Sequence, residues 1–278
     1  DDLPAFSGAD ARAAIEAELN GTVDELFGSF DDTAIAAASI AQVHKATNPE
    51  GHPIAVKVLR PGIEAAFARD LDVALWGAGQ LEKLRPDMCR LRPVEAVRTI
   101  IRSVEIEMDL RFEAAAADEL RQNFEDDPTF SVPAVDWQRT GRRVMTTAWI
   151  DATPMNEIDA DSDKFNRENI VASFARAFFL QVFRDGFFHA DLHPGNIFVD
   201  AEGVVHVVDF GIMGRLDRQT RQYLAEMLHG FLTGNYKRVA DIHIQAGYVP
   251  ANQSAEEVAH AARASAAPSP GLPLREGS

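Results

Sequence analysis

One lysine among apolar neighbours, in Ile54-Ala55-Val56-Lys57-Val58-Leu59, constrains this chain more than any other feature. The run has the composition of a strand, and an ammonium in a hydrophobic strand is costly unless an anion meets it. On an edge strand Lys57 could instead point at water, and taken alone that simpler reading prevails. The fold therefore has two options: leave Lys57 on an exposed edge, or bring acids to it from elsewhere in the chain.

Candidate acids lie far downstream. His189-Ala190-Asp191-Leu192-His193-Pro194-Gly195-Asn196 is followed, after a short hairpin, by Asp209-Phe210-Gly211. Phosphoryl transfer needs a carboxylate that orients or accepts the proton of the attacking hydroxyl, and ligands that hold magnesium across the phosphates. Asp191 is the expected base, Asn196 holds one magnesium through its amide oxygen, and Asp209 binds the metal bridging the phosphates. Pro194 and Gly195 turn the loop so that Asp191 and Asn196 face one cavity. A lone Asp-Phe-Gly would be an ordinary turn. With H-x-D-x-x-x-x-N upstream, at the order and spacing of the kinase signatures, the functional reading displaces that one.

Lys57 then becomes the residue that grips the α- and β-phosphates, oriented by a glutamate from a helix. The helical stretch offers Glu105, Glu107, Asp109 and Glu113. Helical neighbours lie three or four residues apart, so of the last three only Asp109 and Glu113 can share a face. Glu113 is the expected partner, because it heads the apolar Ala114 to Ala117 stretch that can pack on a sheet. Where a glycine-rich phosphate loop would stand, the chain has Ala36-Ala37-Ala38-Ser39. Alanines resist positive φ, so a phosphate loop built from them would be tight, and the same residues could equally start a helix.

Composition narrows the function classes. A chain of 278 residues with 46% hydrophobic content can bury a large core, as one two-lobed domain or two smaller ones. The net charge of -16 argues against nucleic acid as a partner and for reliance on a divalent cation when a nucleotide is handled. Cys89 is the only cysteine, so no intrachain disulfide forms and a reducing compartment is expected. The longest apolar candidate, Ile170 to Phe188, is broken by Arg176, Arg184 and Asp185 and reads as a soluble helix. The chain opens at Asp1 without an initiator Met or a signal pattern, which suggests a piece of a longer protein.

The pattern along the chain predicts an α+β fold. A helix over 10–19 with Asp10 as N-cap precedes three strands, 30–35, 40–46 and 53–59, with the alanine loop between the first two. Long helices follow over 64–84 and 94–125, then strands over 130–137 and 142–150. A helix is expected from about Phe165 to Asp185, short strands over 197–199 and 204–209, and further helices from Asp217. Residues 1–148 form the expected N-lobe and 149–266 a mainly helical C-lobe. The lobes change at Ala148 to Thr153, where Ala148 and Ile150 are expected to touch the cofactor. The Pro-, Ser- and Ala-rich tail 267–278 is expected to be disordered.

Several of these segments together resemble the UbiB family of atypical kinase-like proteins. They are Ala36 to His44, Ala55-Val56-Lys57-Val58-Leu59-Arg60-Pro61-Gly62, the acidic Glu107-Met108-Asp109, His189 to Asn196, and Asp209-Phe210-Gly211. The resemblance implies a protein-kinase-like fold with a helical insertion at 64–91. It implies ATP or ADP bound with Mg2+, with Ala36, Ala37, Ala38, Ser39, Lys57, Glu107 and Glu113 around the cofactor. It also implies ATPase activity and a part in ubiquinone biosynthesis at a membrane. Expected partners are the nucleotide, a small or lipid-like acceptor such as a quinone precursor, and other quinone-biosynthesis enzymes. The expected location is the cytoplasmic side of the inner or plasma membrane, peripheral or through segments this chain lacks. The family's K-x-G-Q motif, which engages the acidic triplet, is absent.

Few residues separate Gly211 from the helix expected at Asp217, and no A-P-E-like segment follows, so the platform for a substrate peptide is reduced or missing. Two rival readings stand beside the first. A pseudokinase-like scaffold would keep the nucleotide site without catalysis, against which the joint retention of Lys57, Asp191, Asn196 and Asp209 argues. A phosphotransferase like those that modify aminoglycosides shares H-x-D-x-x-x-x-N but lacks the alanine loop and acidic triplet. His189, His193 and Asp191 could form a metal cluster, but a hard cation prefers oxygen, and His189 is expected to prop the loop. The tryptophans and the phenylalanines of 178–188 are expected in packing.

Overall fold

The computed structural model describes residues 4–38, 40–85, 90–158, 165–249 and 253–266. The chain divides into two compact units, Asp1–Ala175 with His189–Met213, and Arg176–Phe188 with Gly214–Ser278. The connection from Ala148 to Thr153, where a change of lobe was expected, lies inside the first unit. Ser39, Cys89 and the tail 267–278 lie outside the described residues.

The first unit opens with helices α1 (Gly8–Leu19) and α2 (Val23–Leu26). Ser7, not Asp10, is the N-cap: its Oγ accepts the Asp10 N–H at 3.1 Å, which places Asp10 inside the first turn. A four-stranded antiparallel sheet follows, in the order β1 (Ser29–Ala37), β2 (Ala41–Thr47), β3 (Pro53–Leu59) and β5 (Val144–Ala148). Because β3 is interior, Lys57 is not on an edge; its register partners are Val43 and Met145. The opposite face of this sheet is the core. Val56, Val58 and Val144 are fully buried there with Ile15 of α1, beside Val23 and Phe27.

The alanine loop is mostly strand. Ala36 pairs with Val43 and Ala37 with Gln42, and the Ala38 N–H donates to the Ala41 carbonyl at 2.8 Å. Alanine is at home in an extended backbone, so the pairing with β2 runs on through Ala37.

After β3 come α3 (Ile63–Leu84), α4 (Pro93–Glu107) and α5 (Leu110–Asn123). The single helix expected over 94–125 is thus two, broken at Met108 and Asp109. Asp109 leaves the helical region at φ −128 and its carboxylate accepts the Arg111 N–H, capping α5. The Leu110 N–H donates to the Arg142 carbonyl at 2.8 Å, which ties the start of α5 to the entry of β5.

A second sheet runs β4 (Phe130–Ser131), β9 (Val205–Val207), β8 (Ile197–Val199), β6 (Thr153–Pro154). The strand expected over 130–137 is therefore short. Farther along, Asp136 starts a 3-10 turn, Trp137–Arg139, by accepting the N–H groups of Gln138 and Arg139. Strand β9 stops at Val207, since Asp209 takes φ +63 and cannot continue a strand.

Helix α6 (Arg167–Phe179) runs into a π-helical turn, Leu180–Asp185, that ends at Gly186 with φ +64. The helix expected as far as Asp185 thus loses its α register in its last turn. Strand β7 (Phe187–His189) pairs with β10 (Met213–Arg215), and the second unit takes Phe187 and Phe188 of the one and Gly214 and Arg215 of the other. Three helices complete it, α7 (Arg218–Leu232), capped by Asp217, α8 (Tyr236–Gln245) and α9 (Ala255–Ala266). Val239, Ala240 and Ile242 of α8 are fully buried. A Cβ on Gly230 would lie 2.6 Å from Val239 Cγ2, so this glycine permits the close approach of α7 and α8. No helix among the described residues is long and apolar enough to cross a membrane.

Candidate active site

Strand β3 and helix α5 bring Lys57 and Glu113 together. The Lys57 ammonium donates to Glu113 Oε1 at 2.7 Å and Oε2 at 2.9 Å, and to Asp209 Oδ1 at 3.2 Å. Glu113 is buried, and the Asp209 side chain is 50% exposed. Burial alone would lower the pKa of Lys57, but attraction to Glu113 and Asp209 outweighs it and the pKa is raised. For Asp209, burial favours the neutral acid, yet the Lys57 charge and hydrogen bond and the Gly211 backbone N–H hold its pKa below the usual carboxylate range. Both groups are ionised at neutral pH. Asp209 holds a left-handed backbone, rare for a residue with a side chain, which aims its carboxylate at the ammonium from the end of β9.

The loop between β7 and β8 carries Asp191 and Asn196. His189, 1% exposed, is its prop. The Asp191 N–H donates to His189 Nδ1 at 3.2 Å, so the ring proton is on Nε2, which lies 3.2 Å from the Val208 carbonyl. One imidazole thereby links the backbone of Asp191 to the strand leading into Asp209. The ring also meets Phe210 edge-on at 5.6 Å. The Asn196 Nδ2 donates to the Asp191 main-chain oxygen at 3.3 Å, and the Val208 N–H donates to the Asn196 carbonyl. Because the amide nitrogen is committed to Asp191, the amide oxygen is the end left to bind a cation.

That donor set suits magnesium. Mg2+ takes one or two protein oxygens and completes its shell with phosphate oxygens and water. Asn196 Oδ1 and the Asp209 carboxylate would supply the protein share. Among the described residues, no three His, Cys, Asp or Glu side chains form a cluster that could hold a metal by themselves.

Other candidates fall elsewhere. Glu107 is exposed at the end of α4, and among the described residues it makes no ion pair with Lys57; the break at Met108 and Asp109 separates it from the face that carries Glu113. Asp109 spends its carboxylate on Arg111, whose guanidinium Nε it accepts at 2.8 Å. Strand register puts Ala36 on the Lys57 face, with Val43, and Ala37 on the opposite one, with Gln42. Ala148 pairs with Ile54, so its side chain is also on the opposite face, and its N–H is taken by the Ala134 carbonyl. Ile150 lies beyond the strand, half-buried.

Sequence reasoning assigned Trp149 to packing and gave Lys45 no role. Strand alternation places both on the Lys57 face, and the Lys45 ammonium is 4.3 Å from the centre of the Trp149 ring. The signal was present as the alternation of 43, 45 with 55, 57 and of 145, 147, 149, but it becomes a contact only once the register is known.

A family model described as the ABC1 atypical kinase-like domain matches residues 1–243. A protein of Marinobacter nauticus named "Probable protein kinase UbiB" is 41% identical over 281 residues, 99% of this chain and 51% of that protein. One of the same name from Aeromonas hydrophila is 39% identical, over 99% of this chain and 52% of its own. The chain spans about half the length of the curated relatives it matches. Among solved structures, the complex of Rv3197 with erythromycin from Mycobacterium tuberculosis matches with a TM-score of 0.74 at 28% identity, covering 91% of this chain and 63% of that one. The fold is the kinase-like α+β one implied by the sequence. With a family model spanning most of its length and relatives that bear the UbiB name, the chain belongs to the ABC1 atypical kinase-like family.

Proposed function

We propose that this chain binds ATP or ADP with Mg2+ and is the phosphoryl-transfer core of a UbiB-type kinase or ATPase that supports isoprenoid-quinone biosynthesis. One observation carries the reading: a single ammonium, Lys57, shared by a buried glutamate and by an aspartate in a strained left-handed backbone. Such an arrangement holds a cation ready for phosphate oxygens and fixes the carboxylate that would share them with the metal. The metal, when bound, neutralises charge on the phosphates. Lys57 grips the α- and β-phosphates, Glu113 keeps its ammonium in place, and Asp191 accepts or orients the proton of the attacking hydroxyl or water.

The acceptor is small, lipid-like or water. Only residues 212–217 separate Gly211 from α7, which leaves little chain for a peptide-binding platform. The UbiB name of the relatives supports the quinone pathway; a place on the cytoplasmic side of a membrane, beside other quinone-biosynthesis enzymes, is part of the proposal. The net charge of -16 fits neither DNA nor RNA as partner.

Thermal unfolding tests the site. MgATP or MgADP raises the melting temperature of the wild type, and Asp209→Asn abolishes that rise while leaving the unliganded protein folded; an undiminished rise would refute the metal role. Asp191→Asn keeps binding and lowers turnover by roughly a hundredfold or more, the scale of a lost general base. Turnover equal to wild type in that variant would favour a regulatory nucleotide-binding scaffold instead.

A further inference from the structure

The Lys57 face of the first sheet is laid out in rows by the unbroken register of β2, β3 and β5. Val43, Lys57 and Met145 form one row, and Lys45, Ala55 and Thr147 the next. Beyond them Thr47 pairs with Pro53, whose carbonyl accepts the Trp149 N–H at 3.1 Å. Rows on one face are two residues apart, about 7 Å. On the other side of the Lys57 row, Ala41 and Leu59 are 2% and 0% exposed, so that direction is filled. Toward Ala55 the surface is open: Ala55 and Thr147 are half-buried and Lys45 is exposed. A ligand held by its phosphates at Lys57 therefore extends toward Ala55.

There it meets a cation on an arm. Lys45 is on β2 and Trp149 follows β5, with β3 between them, and the ammonium is nonetheless 4.3 Å from the indole centre. The two side chains therefore reach toward each other across β3. A flexible four-carbon arm gives up rotamer freedom when it is held over a ring, so this ammonium has a definite position.

Resting on the nucleotide reading above, we infer that Lys45, pinned by Trp149, is a specificity residue that closes the base end of the site and donates to the acceptor edge of a purine. The phosphates engage Lys57, the ribose bridges one row, and the base lies over Ala55 with the Lys45 ammonium at its rim. Lys45 thus discriminates a nucleotide from a bare polyphosphate, which reaches Lys57 but not the next row.

Titration calorimetry with MgADP and with magnesium tripolyphosphate separates the two ends. Lys45→Met keeps the apolar arm and removes the charge at an exposed position. It weakens MgADP about tenfold, the scale of one charge-assisted hydrogen bond, and leaves tripolyphosphate unchanged. Trp149→Leu reproduces that loss, while Trp149→Phe, which keeps a ring under the ammonium, stays within about threefold of wild type, as the weaker π-face of Phe allows. Unaltered MgADP affinity in Lys45→Met overturns the inference, as does an equal loss for both probes, which would make Lys45 a general attractor of anions. Wild-type protein that binds neither probe overturns the nucleotide reading underneath, and this inference with it.

Discussion

Lys57 helps to hold Asp209 in its charged form, and that coupling gives the site a pH signature. Its pKa is depressed in the folded state because the attraction of Lys57 outweighs burial. A carboxylate depressed on folding adds stability above its unfolded pKa of about 3.9, and this stability is lost as pH falls through the lower folded value. The pKa of Lys57 is raised, so its contribution is complete below an unfolded value of about 10.4 and is lost only as pH rises past the folded one. Between those limits the pair is fully ionised. The stability gap between wild type and Asp209→Asn, followed by thermal unfolding, is therefore constant around neutrality and closes as pH falls below about 4. A gap that instead closed between pH 5 and 8 would mean that the Lys57–Asp209 pair is not its source. At this scale the sequence was most legible where chemistry is scarce. A lysine between valines calls for an anion once the downstream acids are in view, and Glu113 could be picked out by the apolar Ala114 to Ala117 stretch that it heads. Alternation along β5 sets the Ala148 side chain with Val144 and Thr146, on the face opposite Lys57.

Among the elements, α5 is the one on which the site depends, and its start is set by Asp109. The carboxylate caps the helix through the Arg111 N–H and also holds the Arg111 guanidinium, and its pKa is lowered mainly by that side-chain hydrogen bond. Glu113 lies in the first turn that follows. Asp109→Ala removes the cap and costs about 1 kcal/mol, within the usual range for an N-cap aspartate. Denaturant unfolding reads the loss, and hydrogen exchange at 110–113 rises as the first turn frays. A variant with full stability and unchanged exchange there would show that the Leu110 bond to Arg142 suffices to start the helix. This break could not be foreseen from periodicity. A capping aspartate inside a continuous helical pattern looks like one more surface acid, and only a tertiary tie, here to the strand entry at Arg142, makes it a terminus. The alanine hairpin failed for the opposite reason. Three alanines carry no preference strong enough to distinguish loop, helix start and strand, and pairing with β2 decided it.

At the level of the whole molecule, the division into units was the least legible feature. The first unit takes back residues 189–213 after the chain has spent only 176–188 in the second. Such an excursion leaves no change of composition at its ends, and local patterns cannot report which distant strands will pair. The division has a consequence for ligand binding. Lys57, Glu113, Asp191, Asn196 and Asp209 all belong to the first unit, whereas Val239, Ala240 and Ile242, all fully buried, belong to the second. A ligand that binds only the folded site stabilises it by RT ln(1 + [L]/Kd), about 2.7 kcal/mol at a hundredfold excess over Kd. Openings that disrupt the site become rarer by that amount, and openings that spare it are untouched. With MgADP at that excess, hydrogen exchange slows in β3, α5 and residues 189–213 by up to about a hundredfold, and α8 and α9 exchange as before. Equal protection of α8 and α9 would mean that the two units open as one.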